Sequence, residues 1–200
     1  MKDISVKALA KINLGLDVVR KREDGYHEVR MVMQTIHLFD RLEISKNTSG
    51  EITMETNLSF LPTNENNLVY KAAKLLQDEF AIKDGVHVWL HKYIPVAAGM
   101  AGGSTDAAAV LYGMNQIFDL GLTREELMER GVKIGADVPY CIMRGTALAE
   151  GIGEKLSKLP PMVKCPVLIA KPQISVSTKF VYENLKLGSD MVHPDIDRLV

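Results

Sequence analysis

The sequence has little cysteine and no surplus of either charge. Cys141 and Cys165 are the two cysteines in 200 residues, too few for a disulfide framework, and they suit a reducing compartment. The formal net charge is −1, from 24 basic and 25 acidic residues. The densest basic run, residues 20–22, is followed at once by Glu23 and Asp24. Because a nucleic-acid backbone is held by a basic surplus or a basic patch, this charge pattern argues against a polyanionic partner.

Long apolar runs are also missing. No stretch approaches the roughly 20 apolar residues that a membrane helix needs, and charged side chains within the first eleven residues interrupt any signal-like apolar segment. Apolar residues nevertheless make up 46% of the chain and charged residues 24%, which is typical of a soluble globular protein. We therefore expect a cytoplasmic protein with one domain, or with one domain and part of another.

Residue periodicity predicts a mixed α/β architecture. Alternation and turn residues predict strands over 4–9, 12–19, 28–36, 41–45, 51–55 and 86–91, and shorter strands over 140–143, 146–150 and 167–170. Helical spacing predicts helices over 67–80, 104–118 and 123–134, and a short helix over 178–185 capped by Ser177. Thr123 and Glu126 form a capping-box pattern at the start of the third helix. Residues 151–153 predict a hairpin turn.

A glycine-rich segment separates a predicted strand from a predicted helix. Its residues are Pro95, Val96, Ala97, Ala98, Gly99, Met100, Ala101, Gly102, Gly103, Ser104 and Thr105. Glycine lets successive backbone N–H groups point into one concavity, and the helix adds unpaired N–H groups and the positive end of its dipole. The segment is neither a Walker loop nor Gly-x-Gly-x-x-Gly. It predicts an anion site, against the alternative of a flexible turn that lets a helix pack closely on a sheet.

Five motifs, in family order over most of the chain, resemble those of the GHMP kinases, which transfer phosphate from ATP to small alcohols. They are Pro95-Val-Ala-Ala-Gly-Met-Ala-Gly-Gly-Ser-Thr-Asp-Ala-Ala-Ala109, Ala10-Lys-Ile-Asn-Leu14, Asp24-Gly-Tyr-His27, Asn66-Asn-Leu-Val69 and Gly135-Ala-Asp-Val-Pro139. One departure is Ala101, where many members have glycine; a methyl group there is tolerable if the backbone angle is ordinary.

The resemblance implies a fold and a domain division. It predicts an α/β (α+β) fold, in which a GHMP-kinase N-terminal domain (ribosomal protein S5 domain 2-like) spans residues 1–158. Residues 159–200 would begin a ferredoxin-like C-terminal domain, and they are too few to close a core of their own. We therefore expect this second domain to be incomplete.

The resemblance also assigns roles to two charged residues. Taken alone, Asp137 is better explained as a helix N-cap with Pro139 in the first turn, and Lys11 as a solvated lysine on a strand face shared with Asn13. The family places its catalytic aspartate, which accepts the proton of the attacking hydroxyl, at Asp137, and a catalytic lysine at Lys11. We therefore expect the two charged groups to lie roughly 3–6 Å apart.

Contacts to the nucleotide and the substrate follow from the same resemblance. Asn67 and Lys92 match positions near the adenine of ATP, and Mg²⁺ is expected with the nucleotide, although no metal ligands of the protein are predicted. The positions that match substrate contacts are Asn13, Tyr26, His27 and Tyr182. The aromatic residues among them would recognise a cytosine base by stacking and hydrogen bonds.

Two alternatives remain open. The first is another GHMP kinase, of the mevalonate or homoserine type. Residues 24–27 argue against it, because a kinase of that type should have no cytidine contact at these positions. The second is a non-catalytic RNA-binding module, since the N-terminal domain resembles a ribosomal-protein domain; the net charge of −1 counts against it. We expect a small-molecule cytidine-diphosphate substrate, no nucleic-acid or membrane partner, and a monomer or homodimer.

Overall fold

Two long antiparallel strands form the centre of the computed structural model, which describes residues 3–172, 174, 178–188 and 191–200. β1 spans Asp3–Lys21 and β2 spans His27–Asn47. Each was predicted as two shorter strands, because the sheet register shifts between Leu9 and Lys11, opposite residues 35–39. Such a bulge interrupts the alternation from which strands are predicted.

Four further strands complete a mixed sheet. β3 spans Ile52–Thr56, β4 spans Gly85–His91, β5 spans Thr146–Glu150 and β6 spans Lys155–Lys158. The strand order is β3-β4-β2-β5-β6, with β1 paired along β2, and β3 and β4 are the parallel neighbours. The long β2 pairs with β4 through its C-terminal half and with β5 through its N-terminal half. The predicted hairpin turn joins β5 to β6.

The α-helices pack on one face of this sheet, whereas Ile196, just before a 3₁₀ turn, packs on the other face with Val32 and Leu148. α1 spans Leu68–Glu79, α2 Gly102–Ile117, α3 Arg124–Val132, α4 Val138–Met143 and α5 Thr178–Asn184, and a 3₁₀ turn spans Asp197–Leu199. The three long predicted helices are confirmed, and so is the capping box of Thr123 and Glu126. None of the helices in the described ranges is long and apolar enough to cross a membrane.

The core lies between the sheet and the buried helix α2. Residues 105–111 of α2 are all buried, and the alanines among them let the helix axis approach the sheet. A Cβ atom at Gly113 would lie 2.4 Å from Ile44 Cδ1, so any larger residue would force the buried Ile44 side chain to move where α2 crosses β2. The close packing fixes the N-terminus of α2 relative to β1 and β2.

Two strand predictions are wrong. Residues 140–143 belong to α4, because four apolar residues show no usable period and Pro139 favours a first helical turn. Residues 167–170 have no regular structure, and Leu168 is 97% exposed, without the neighbouring strand that would bury it. The predicted cap Ser177 lies outside the described residues. We retain the domain boundary at residue 158 as a proposal, because β6 is the last strand of the sheet in chain order.

Candidate active site

The glycine-rich segment joins β4 to α2, as predicted, and is shaped by left-handed backbone angles. φ is 52° at Ala97, 68° at Gly99 and 55° at Ala101, the N-cap position of α2. A methyl group at position 101 was expected to be tolerable only with an ordinary, right-handed or extended backbone angle. The left-handed φ of Ala101 does not meet this condition. A residue with a Cβ atom in this region costs roughly 1–2 kcal/mol relative to glycine.

The first turn of α2 presents backbone donors. Thr105 is the first residue whose N–H bonds within the helix, to the carbonyl of Ala101 at 2.9 Å. The N–H groups of Gly102, Gly103 and Ser104 precede it, so they have no intrahelical acceptor and lie at the positive end of the dipole. The Thr105 hydroxyl is buried and donates to the carbonyl of Leu9 at 2.8 Å, so it anchors the helix to β1 instead of offering a ligand contact.

Lys11 and Asp137 meet, as predicted. Lys11 Nζ lies 3.9 Å from Asp137 Oδ2, and 3.4 Å from the side-chain oxygen of Asn13. Lys11 is only 6% exposed, which is incompatible with a solvated lysine on an open sheet face. Asp137 occupies the N-cap position of α4 and Pro139 follows in the first turn, but the carboxylate makes no capping hydrogen bond. The carboxylate therefore does not cap the helix, which is the role that its position before Pro139 suggested.

A hydrogen-bond network holds α4 against β2, the strand that pairs with β1 opposite Lys11. The phenol of Tyr140 donates to the carbonyl of Gly145 at 2.7 Å and bonds with Thr35 Oγ1 at 3.0 Å. Gly145 N–H donates to the same hydroxyl at 3.0 Å, and Thr35 lies opposite Lys11 in the β1–β2 pairing. Burial raises the pKa of Tyr140 to about 12, so the phenol remains a donor. Sequence reasoning missed this network because it placed Tyr140 in a strand.

The predicted substrate residues with rings divide into two groups, whereas Asn13 lies beside Lys11. The rings of His27 and Tyr182 stack with centroids 4.8 Å apart and an interplanar angle of 21°. Burial raises the pKa of Tyr182, and the charge of Asp137 raises it further, so the phenol lies within electrostatic reach of the carboxylate. Tyr26, by contrast, is 62% exposed, and its N–H donates to Asp24 at the hairpin turn.

The predicted adenine contacts have structural partners. The side chain of Asn67 caps α1 by accepting from Val69 N–H at 2.9 Å, and it donates to the carbonyl of Pro62 at 2.8 Å. The ammonium of Lys92 is buried between Asp40 and Asp106. The ammonium of Lys92 thus faces protein carboxylates, whereas Asn67 keeps one amide N–H and one oxygen lone pair beyond these two bonds. Both adenine contacts stay predictions.

Comparisons with known proteins identify relatives of the whole chain. The model of the GHMP kinases N terminal domain matches residues 67–145. The 4-diphosphocytidyl-2-C-methyl-D-erythritol kinase of Lachnoclostridium phytofermentans is 62% identical over 98% of this chain and 68% of its own length. The kinase of that name from Lachnospira eligens is 59% identical over 100% of this chain and 69% of its own length.

A solved structure gives the same result. A crystal structure of 4-(cytidine 5'-diphospho)-2C-methyl-D-erythritol kinase superposes with a TM-score of 0.78 at 34% identity, over 92% of this chain and 65% of that one. The chain thus spans about two thirds of the length of the relatives it matches. The predicted fold class is confirmed by the mixed sheet and by this superposition.

Proposed function

Because the chain belongs to the 4-diphosphocytidyl-2-C-methyl-D-erythritol kinases of the GHMP kinase family, we propose that it phosphorylates the 2-hydroxyl of 4-diphosphocytidyl-2-C-methyl-D-erythritol with ATP. This reaction belongs to non-mevalonate isoprenoid biosynthesis. The observation that carries the proposal is the 3.9 Å approach of Lys11 and Asp137, two residues far apart in sequence that meet beside the glycine-rich segment 95–105, which we call the phosphate loop. We propose a cytoplasmic enzyme that acts as a monomer or homodimer.

The two charged residues suit the acceptor side of phosphoryl transfer. Asp137 would accept the proton of the attacking hydroxyl, and its carboxylate is one third exposed and thus open to a substrate. The Lys11 ammonium stabilises the negative charge of that carboxylate and can donate to the hydroxyl oxygen. Phosphoryl transfer is catalysed mostly by positioning and charge stabilisation, so an aligned carboxylate and ammonium suffice on this side.

The donor side is supplied by the phosphate loop. The N–H groups of Gly102, Gly103 and Ser104 and the dipole of α2 suit the phosphates of ATP. Among the described residues no group of three or more His, Cys, Asp or Glu could hold a metal ion. Mg²⁺ would enter with ATP and be held chiefly by the phosphate oxygens, where it would neutralise part of their charge. His27 and Tyr182 are the aromatic surface on which a cytosine would stack.

A direct assay tests this proposal. The purified chain is incubated with ATP, MgCl₂ and 4-diphosphocytidyl-2-C-methyl-D-erythritol, and the phosphorylated product is identified by phosphorus NMR. Mevalonate and homoserine serve as competing acceptors in parallel reactions. The proposal requires product from the cytidylyl substrate alone; a preference for mevalonate or homoserine would support the alternative kinases, and ATP binding without any acceptor turnover would refute the acceptor assignment.

A further inference from the structure

Three charged side chains meet in the protein interior beneath the phosphate loop. Asp40 on β2 is 0% exposed, Lys92 after β4 is 8% exposed and Asp106 on α2 is 2% exposed. Lys92 Nζ donates to Asp40 Oδ2 and, at 2.7 Å, to Asp106 Oδ2. We refer to Asp40, Lys92 and Asp106 as the buried charge cluster. Burying three ionisable groups is costly, and the catalytic roles proposed above use none of them.

The cluster fixes the start of the loop. Asp40 Oδ1 accepts the backbone N–H groups of Tyr93 at 2.5 Å and Ile94 at 2.8 Å. Asn57 holds the backbone of Lys92 from the other side, accepting its N–H at 2.8 Å and donating to its carbonyl at 3.0 Å. The backbone of residues 92–94 is therefore bonded on both sides before the chain enters the loop.

The cluster also contacts the end of the loop. Asp106 lies one turn after Gly102, the first residue of α2, on the helix that presents the free N–H groups. A Cβ atom at Gly102 would lie 3.1 Å from Lys92 Nζ and 3.3 Å from Ile94 Cγ2, so the ammonium packs directly against the first helical residue. One ammonium thus joins the strand side and the helix side of the loop.

The charges of the cluster indicate that one carboxyl is neutral. Burial raises the pKa of Asp106 to about 8. The positive charge of Lys92 lowers this pKa, and the neighbouring carboxyl of Asp40 raises it. Asp106 Oδ1 is buried and has no hydrogen-bond partner in the described part of the chain. A neutral carboxyl tolerates such an oxygen far better than a carboxylate does. With Asp106 protonated, the positive charge of Lys92 and the negative charge of Asp40 cancel, and the cluster carries no net charge.

We propose that the buried charge cluster is a positioning element for ATP, in which Asp106 and Asp40 hold the ammonium of Lys92 between the two ends of the phosphate loop. The inference rests on the proposed function, since the phosphates it positions are those of ATP. Without Asp106, the N-terminal part of α2 loses its bond to Lys92, which precedes the loop, and the N–H groups of residues 102–104 no longer converge.

The experiment compares Asp106→Ala, Asp106→Asn and Asn115→Ala. Asn115 is a matched control, because it is a buried polar residue of the same helix and lies at the helix end away from the loop. Its side-chain amide donates to the carbonyl of Leu122 and accepts the N–H of Leu122. Calorimetry gives the Kd for ATP, steady-state assays give kcat and both KM values, and thermal unfolding reports stability. Asp106→Ser, which is too short to reach Lys92, replaces Asp106→Ala if the alanine variant does not fold.

Asp106→Ala should weaken ATP binding about 10- to 100-fold, equivalent to roughly 1.4–2.8 kcal/mol. Asp106→Asn, which has the shape of a neutral carboxyl, should restore the Kd to within about threefold, and Asn115→Ala should lower the unfolding temperature while leaving the Kd unchanged. The inference is wrong if Asp106→Ala binds ATP normally or if Asn115→Ala weakens ATP equally. A wild-type chain that does not bind ATP would refute the proposed function and this inference together.

Discussion

The backbone N–H of Lys11 donates to the carbonyl oxygen of Met100 across 3.1 Å. This bond joins the strand that carries the ammonium to the loop that precedes α2, and it forms next to the register shift at Ala10, while Lys11 itself stays paired with Thr35. The Thr105 hydroxyl adds a second link, to Leu9 on the same strand. The proposed acceptor and donor sides of the reaction are therefore fixed to each other by main-chain geometry, which is the requirement for in-line transfer.

Asp137→Asn should lower kcat by roughly 10²- to 10⁴-fold while the Kd for ATP changes less than about threefold. The amide keeps the shape of the side chain but cannot accept the proton. Stability should fall only modestly: the partly exposed carboxylate makes no capping bond, but its removal takes an ion-pair partner from the buried Lys11. Steady-state assays with calorimetric ATP titration measure both effects. Normal turnover in this variant would contradict the assignment of Asp137 as the base.

Two further variants control this prediction. Thr123→Ala removes a true cap, so it should cost about 1 kcal/mol of stability and leave kcat unchanged. Lys11→Met should itself lower kcat strongly, but adding it to Asp137→Asn should lower kcat little further, because the two groups act in one step. Multiplicative losses in the double variant would show that Lys11 and Asp137 act independently.

Ala101→Gly should stabilise the chain by about 0.5–1 kcal/mol. Glycine relieves the left-handed strain at φ 55°, and the greater freedom of the unfolded chain offsets part of the gain. Ala81→Gly is the matched control, because Ala81 has φ 48° just after α1, outside the phosphate loop. Both should stabilise similarly in urea unfolding, and only Ala101→Gly should change the Kd for ATP. Destabilisation by Ala101→Gly would show that the methyl group makes compensating contacts.

Local signals in the sequence were enough for most of the fold. The helix at 123–134 was found because its cap and its period agree, and the strand at 86–91 because its alternation is uninterrupted. The strand predicted at 167–170 was wrong because an apolar run forms a strand only beside another strand, and partner strands are a property of the tertiary structure.

Only part of the site could be predicted from the sequence. The approach of Lys11 to Asp137 was expected from the family resemblance and not from spacing. The buried charge cluster was missed, because Lys92 is 52 positions from Asp40 and 14 from Asp106, and the resemblance assigned Lys92 to a nucleotide contact. What makes these residues unusual is complete burial, which depends on how α2 packs on the sheet.

Stability should depend on pH through Asp106. Its pKa is raised from 3.8 to about 8 in the folded chain, so between these values the folded state binds a proton that the unfolded state has released. The contribution of Asp106 to the free energy of unfolding should therefore be highest below the unfolded pKa and fall as pH rises toward about 8. Asp106→Asn has no such titration, so it should gain stability relative to the wild type as pH rises.

Urea unfolding of both chains at several pH values between about 5 and 8, without nucleotide, isolates this contribution. Other titrating groups are common to the two chains and largely cancel in the difference. A constant difference across this range would show that Asp106 is ionised in the folded chain, and the neutral carboxyl assigned to the buried charge cluster would then be wrong.

Tyr182→Ala should raise the KM for the cytidylyl substrate about 2- to 10-fold and leave the KM for ATP unchanged, because an aromatic pair contributes roughly 0.5–1.5 kcal/mol. The ring of Tyr182 stacks on His27, so a cytosine must add to this stack or displace one of its rings. Tyr182→Phe keeps the ring and should stay within about twofold of the wild type. Val181→Ala, an exposed change on the same helix, should alter neither KM. An equal rise in both KM values for Tyr182→Ala would indicate a general loosening of α5, and the stacking role would have to be abandoned.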